Sequence, residues 1–402
     1  MILLTSSSKV IPGFASIVEK IKADTSFRAA ARVDLPVPEG PVKYNNPAGR
    51  PSQLRQMLYP FQLLHINGTM NYISISMKEA DMENVTLDMI FDAKNALKGI
   101  IDYTPILSSE KMNSNIYFKA ENLQKTGSFK IRGSYNKIRT LTDEEAARGI
   151  IACSSGNHAQ GVALSATKRG IRSIICMPES APKQKRNATA GYGGEVVLVP
   201  GAYDDAAVEA ERLVKEKNYM MIHPFNDPYV IAGQGTIGLE ILEQMPDVEQ
   251  VIVPVGGGGL ISGIALAIKS LKPGCRVIGV QALKVPSMYG SVAAQKIITV
   301  KDNPTLADGI HVLTPGMLTF DMVNRYVDDI MIVTEEEIAG AMVCLLECPK
   351  IVAEGAGAAS TAAFMFGKVD TSLKTVCVVS GGNVDITLLD RIITDGIHTF
   401  RK

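Results

Sequence analysis

The chain has 402 residues, no tryptophan, and 41 basic side chains balanced by 41 acidic ones. A zero balance supplies no field for a polyanion, which argues against nucleic acid and anionic membrane surfaces as partners. The length suffices for two domains or one large α/β unit.

Residues 1–77 carry scattered proline and glycine, as in LPVPEGPVKYNNPAGRP, and no sustained period of 3.6 or 2. They are expected to form a disordered N-terminal extension. The opening MILLTSSSKVIPGF puts its short apolar stretch before the first lysine, the wrong order for a secretory signal, so a soluble cytoplasmic protein is expected. The six cysteines, Cys153, Cys176, Cys275, Cys344, Cys348 and Cys377, mostly lie in apolar runs and fit neither a zinc spacing nor a disulfide framework. They read as core residues, and no metal site is expected.

From Thr86 onward apolar runs alternate with amphipathic ones. The pattern predicts a helix over Leu87 to Ile101, a strand over Ile116 to Glu121 and a helix over Ser128 to Leu141. GIIACSS, SIICMP and EVVLVP follow as short strands, with a helix over Ala207 to Lys217, and VIVPV, CRVIGVQ, DIMIVT and TVCVVS repeat the theme. Strands alternating with helices predict parallel sheets covered on both faces, in two α/β lobes with a cleft between them. Residues 78–124 and 225–402 are assigned to a large domain and 125–224 to a small one. The uncharged run Val251 to Ile268 has the length of a membrane span, but Pro254 and four consecutive glycines make it a strand, a loop and a helix start. The basic run KQKR, Lys183 to Arg186, reads as a solvated helix face.

Four motifs lie on this frame. KTGSFKIRG, Lys125 to Gly133, sets Lys130 beside a small-residue turn whose hydroxyls and N–H groups suit an anion. A lysine so placed suits Schiff-base chemistry with a phosphorylated aldehyde, because partial burial and nearby cations lower its pKa. SSGNHAQG, Ser154 to Gly161, joins a strand to a helix whose N-terminus favours a carboxylate, and Asn157 adds an amide for a ring oxygen. VIVPVGGGGLISG, Val251 to Gly263, wraps a phosphate in backbone N–H groups. A nicotinamide enzyme would want an acidic residue at the end of the next strand, where Gln281 stands. In VVSGGN, Val378 to Asn383, Ser380 sits at a strand's carboxyl end, where α/β proteins bind ligands.

Together these motifs resemble the pyridoxal-phosphate serine/threonine dehydratases of the tryptophan-synthase-β-like fold, fold-type II, over about Met82 to Asp395. VIAGQGTIGLEIL, TLADGI and VAEGAGAAS further resemble the catabolic threonine dehydratases. The resemblance implies two doubly wound parallel-sheet domains with pyridoxal 5'-phosphate in the cleft, and L-threonine and L-serine as substrates. It implies that Lys130 carries the cofactor and acts as base, that Phe129 packs near the ring and that Asn157 meets the ring oxygen. Gly256, Gly257, Gly258, Gly259 and Leu260 hold the phosphate, Ser380 meets the pyridine nitrogen, and Ser154, Ser155, Gly156, Asn157 and His158 receive the substrate carboxylate. Ser155 stands where serine racemases of similar sequence have a second acid/base, so a racemase is the alternative; the sequence QALKVPS, Gln281 to Ser287, lacks the acidic residues of those racemases' cation site. A non-catalytic amino-acid or nucleotide sensor of the same fold is a more distant reading, to which Lys130 would be superfluous. The short stretch after VVSGGN leaves no room for a regulatory domain, so an AMP-type effector is expected on the catalytic body, at Lys125, Thr126, Gln160 and Asn383. The assembly is expected to be a homodimer or homotetramer.

Overall fold

The computed structural model describes residues 84–394 and the backbone of two earlier strands, β1 (Gln62–Ile66) and β2 (Thr69–Ile73). These two pair antiparallel. They form a hairpin that the sequence reading had not anticipated, although Asn67-Gly68 between two strand-forming runs is a hairpin signal. The rest of the expected extension lies outside the described residues.

Two sheets organise the remainder. The larger contains β3 (Ile106–Leu107), β4 (Ile116–Ala120), β9 (Gln250–Pro254), β10 (Arg276–Ala282), β11 (Asp329–Val333) and β12 (Thr375–Val379), in the order β11-β10-β9-β12-β4-β3. All its pairings are parallel except that of β3, a two-residue edge strand antiparallel to β4. The smaller, wholly parallel sheet has the order β7-β6-β5-β8, from β5 (Ile150–Cys153), β6 (Ser173–Pro178), β7 (Glu195–Val199) and β8 (Met220–Met221). Every residue of β6, β9 and β12 is buried, as expected of parallel strands covered on both faces. The fold is thus α/β with parallel sheets, as read from the sequence.

Helix boundaries follow local chemistry. Leu87–Ala96 starts at the Thr86 cap and stops short of the expected Ile101, because Gly99 turns the chain with φ +74°. Pro228–Gln244 begins where Asp227 accepts the N–H groups of Tyr229 and Val230, with proline in the first turn. It packs along Gly259–Leu271, and Gly263 makes the approach possible: a Cβ there would lie 2.3 Å from the Ile231 carbonyl oxygen. The run Val251 to Ile268 resolves into β9, a glycine loop and the start of that helix, and among the described residues no helix is long and apolar enough to cross a membrane.

The strand orders fix where a ligand can bind. In the small sheet β5 lies between β6 and β8, and in the large sheet β9 lies between β10 and β12, so the chain leaves each of these central strands at a topological switch point. Crevices at the carboxyl ends of such strands are the usual ligand sites of open α/β sheets. The loops emerging there are Ser154–Gly156 and Val255–Gly258.

Candidate active site

One cleft of about 950 Å³ collects three of the four motifs in full or in part and the carboxyl end of the fourth's strand. Its lining includes Phe129, Lys130, Ser154, Ser155, Gly156, Asn157, His158, Gly256, Gly257, Gly258, Gly259, Leu260 and Ser380. The volume suits a cofactor together with a small substrate.

Lys130 opens the helix Lys130–Ile138 and turns its amine into the cleft, where Nζ donates to the Pro224 carbonyl oxygen at 2.9 Å and lies 5.2 Å from the Phe129 ring centre. Surrounding protein lowers its pKa from 10.5 to about 8, and the Glu354 carboxyl opposes that shift only in part. The neutral, nucleophilic form of this amine is therefore far more populated near neutrality than in an exposed lysine.

The turn before Lys130, expected to cradle an anion, spends part of its donors within the protein. The N–H of Gly127 donates to Gln124 O, that of Phe129 to Ser380 O, and Thr126 Oγ1 to Ser128 O. Gly382 N in turn donates to Gly127 O, and Ser128 forms a bridge with Gly381. The turn serves as a clip joining KTGSFK to VVSGGN, which places Lys130 beside the buried Ser380.

Ser154, Ser155 and Gly156 link β5 to the helix Asn157–Lys168, whose first N–H groups have no partner within the helix. Gly156 has open space where a Cβ would stand. His158 is turned inward: Nε2 lies 2.8 Å from Ile222 O, and burial, then the Lys130 charge, pushes its pKa down to about 3. Its ring is neutral and donates to that carbonyl, so toward an anionic ligand it offers its backbone N–H rather than a ring N–H.

In the glycine loop Gly258 adopts φ +96°, a conformation that L side chains rarely take. A Cβ on Gly257 would lie 2.5 Å from the Phe225 ring. The glycines leave backbone and helix dipole facing the cleft, the arrangement that holds a phosphate without a side-chain charge.

Three lining groups were missed by the sequence reading. Glu354 is 3% exposed, donates its backbone N–H to Gly381 O, and accepts from Asn157 Nδ2 at 2.6 Å. Burial, then Asp308, raises its pKa to about 7. It stands inside VAEGAGAAS, a run that had been given no chemical role. His223, just beyond β8, accepts from Phe225 N and Asn226 N through Nδ1, and burial lowers its pKa to about 4. Lys185 is not on a solvated face: its amine crosses to Asp308, and its side chain is 20% exposed.

The four positions expected to take an effector do not line the cleft. Lys125 pairs with Asp102 at 3.5 Å, and Thr126 and Gln160 are buried. Asn383 donates to both Thr126 O and Asn157 Oδ1 at 2.8 Å.

The residues present fit pyridoxal phosphate: a low-pKa amine, a side-chain-free loop at a helix start and a neutral hydroxyl at a strand end face one cavity. The sequence pattern described as "Pyridoxal-phosphate dependent enzyme" matches residues 97–381. The L-threonine ammonia-lyase of Thermotoga maritima is 52% identical over 318 residues, 78% of this chain and 79% of that protein. The catabolic L-threonine dehydratase of Escherichia coli is 48% identical over 315 residues, 77% of this chain and 96% of that protein. The solved structure of maize serine racemase superposes with a TM-score of 0.73 at 35% identity, covering 80% of this chain and 100% of that one. Sequence, fold and cleft agree that the chain belongs to the pyridoxal-phosphate dependent enzymes, in their fold-type II serine/threonine dehydratase branch.

Proposed function

We propose that the protein is an L-threonine dehydratase (ammonia-lyase) that converts L-threonine to 2-oxobutanoate and ammonia and also takes L-serine to pyruvate and ammonia. The observation that carries the reading is the Lys130 amine, its pKa lowered by burial, in a cleft shared with the glycine loop and the Ser154–Gly156 turn. The named relatives are threonine ammonia-lyases and dehydratases, which supports threonine as substrate.

Bound in the cleft, pyridoxal phosphate supplies an electron sink for the negative charge that develops at the substrate Cα. The residues supply the rest. Lys130 is the amine that would hold the cofactor at rest and, when free, would take the Cα proton as general base. The N–H groups and hydroxyls of Ser154 to Asn157 fix the substrate carboxylate at a helix N-terminus, orienting the Cα–H bond toward Lys130. Gly256 to Leu260 anchor the phosphate through backbone N–H groups. Ser380, a neutral hydroxyl, would not keep a pyridine nitrogen protonated as an aspartate would, which would favour departure of the β-hydroxyl as water, its proton balanced by the one that Lys130 takes from Cα. Water re-enters when the enamine product hydrolyses to the 2-oxo acid and ammonia.

The test is release of 2-oxobutanoate from L-threonine by the purified protein and by Lys130→Ala. The variant is expected to lose turnover and the cofactor's visible absorbance together; undiminished turnover rejects the assignment. Ser155 in the cleft favours a racemase as second reading, and D-serine formed from L-serine faster than pyruvate would establish it.

Assembly as a homodimer or homotetramer and activation by an AMP-type nucleotide at Lys125, Thr126, Gln160 and Asn383 extend the proposal. Asn383 supports the second point, because it touches both Thr126 and Asn157 and so joins that region to the cleft. AMP is expected to lower the KM for threonine and isoleucine to leave it unchanged. Isoleucine inhibition, or the absence of AMP binding, rejects that regulation and leaves the dehydratase standing.

A further inference from the structure

Glu354 is the only carboxylate that hydrogen-bonds a proposed ring-contacting side chain among the described residues, and no step above uses it. It occupies the N-cap position of the helix Gly355–Met365, yet its side chain makes no capping bond to that helix. Instead Oε1 accepts from Asn157 Nδ2 at 2.6 Å. On the other side of the same amide, Asn157 Oδ1 accepts from Asn383 Nδ2 at 2.8 Å, and Asn383 is itself fixed by donating to Thr126 O at 2.8 Å. This chain of hydrogen bonds runs through three of the four motifs and VAEGAGAAS.

The consequence is a single allowed orientation for Asn157. A flipped amide would set its oxygen against the Glu354 carboxyl and its NH2 against the Asn383 NH2, losing two hydrogen bonds and opposing like dipoles. In the observed orientation one N–H is committed to Glu354, the carbonyl is committed to Asn383, and one N–H remains free. Space for the Glu354–Asn157 bond is kept by Gly381, where a Cβ would lie 2.5 Å from Glu354 Oε1 and 3.1 Å from Asn157 Nδ2.

We propose that Glu354 is a positioning residue for the cofactor: it pins the Asn157 amide so that the remaining N–H is offered to the ring oxygen of pyridoxal phosphate. The inference rests on the reading of Asn157 as the ring contact and adds the residue that orients it. Charged groups facing Glu354 are Asp308 and Lys185 across the cleft and Lys130 from its own helix, so the carboxyl also couples the ring contact to the charge state of the site. The predicted property is indirectness, because Glu354 acts through Asn157.

The experiment measures affinity for pyridoxal phosphate, and its visible absorption when bound, in the full chain. The variants are Glu354→Ala, Asn157→Ala, the double variant, Glu354→Gln and Glu354→Asp. Loss of one well-aligned hydrogen bond corresponds to about tenfold in affinity, about 1.4 kcal/mol. Glu354→Ala is expected to weaken binding by about that factor and shift the absorption. The double variant is expected to bind no worse than Asn157→Ala alone. Glu354→Gln, whose amide oxygen still accepts from Asn157, is expected to recover most of the affinity. Glu354→Asp, which keeps the charge but falls short, is not, and this pair carries the test if the alanine variant fails to fold. Multiplying losses in the double variant, or wild-type affinity and absorption in Glu354→Asp, overturn the proposal. Failure of the unmodified protein to bind the cofactor would instead overturn the reading on which it rests.

Discussion

Three buried titratable groups around the Lys130 amine pull stability in opposite directions as pH changes. His158 and His223 are held neutral, with pKa values near 3 and 4 against an ordinary 6.5. A group with a lowered folded pKa contributes stability that is present above its unfolded value and lost as pH falls through the folded one. The two imidazoles therefore destabilise the fold progressively from pH 6.5 downward. Glu354, raised to about 7, acts in the other sense, its contribution full below about 4.5 and lost as pH rises through 7. Urea midpoints of the cofactor-free protein between pH 4 and 7 are expected to fall less steeply on acidification in His158→Asn than in the unmodified chain. In Glu354→Gln they are expected to fall more steeply. A steeper acid decline in His158→Asn would show that its imidazole is charged in the fold. Glu354 and His223 also mark what the sequence could not disclose. Lys130 was legible because its neighbours announce a turn and a helix start, whereas Glu354 acquires its chemistry from an amide 197 residues away and His223 from a burial that only the fold supplies.

At the scale of elements, the helix that begins with Lys130 is anchored by a buried ion network rather than by apolar packing alone. Arg132, fully buried, donates through Nε to Glu121 at 2.8 Å and through Nη1 to Glu240 at 2.6 Å. Lys119 on β4 completes the set by donating to Glu240 at 2.6 Å and to the Thr104 carbonyl oxygen. Two cations and two carboxylates balance, and Thr104 and Thr236 take further bonds. Removing one member leaves a buried charge without its partner, which typically costs about 3–5 kcal/mol. Arg132→Met is expected to lower unfolding stability by that amount in urea titrations; a change below about 1 kcal/mol would mean that water reaches the carboxylates. The elements joined here were largely readable, since β4 and the Lys130–Ile138 helix both fall inside their expected spans. Their ends were not, because turns such as the one at Gly99 and two-residue strands such as β3 and β8 depend on tertiary pairing rather than on any run of sequence.

For the molecule as a whole, the cleft was implied by two sets of alternating strands and helices, but the ion pair between its lining elements was not. Lys185 lies on the helix Lys183–Gly191 beside the small sheet, and Asp308 on a short helical turn beside the large one, and both line the cleft, so their ion pair links two of its walls. Composition alone could only read KQKR as a solvated face, because the partner stands 123 positions away. The pair is partly open to solvent, with side chains 20% and 55% exposed, and exposed pairs contribute about 0.2–1 kcal/mol. If linking those walls is its only task, Lys185→Met will raise the KM for L-threonine by no more than about fivefold at unchanged kcat, since 1 kcal/mol corresponds to about that factor. Asp308→Asn is expected to give the same rise, and the double variant no more than either alone. Added salt should raise the KM of the unmodified enzyme and leave that of the variants still, because screening acts only on the charges that remain. A hundredfold fall in kcat on Lys185→Met would refute a purely structural role for the ion pair and place that ammonium against the reacting atoms.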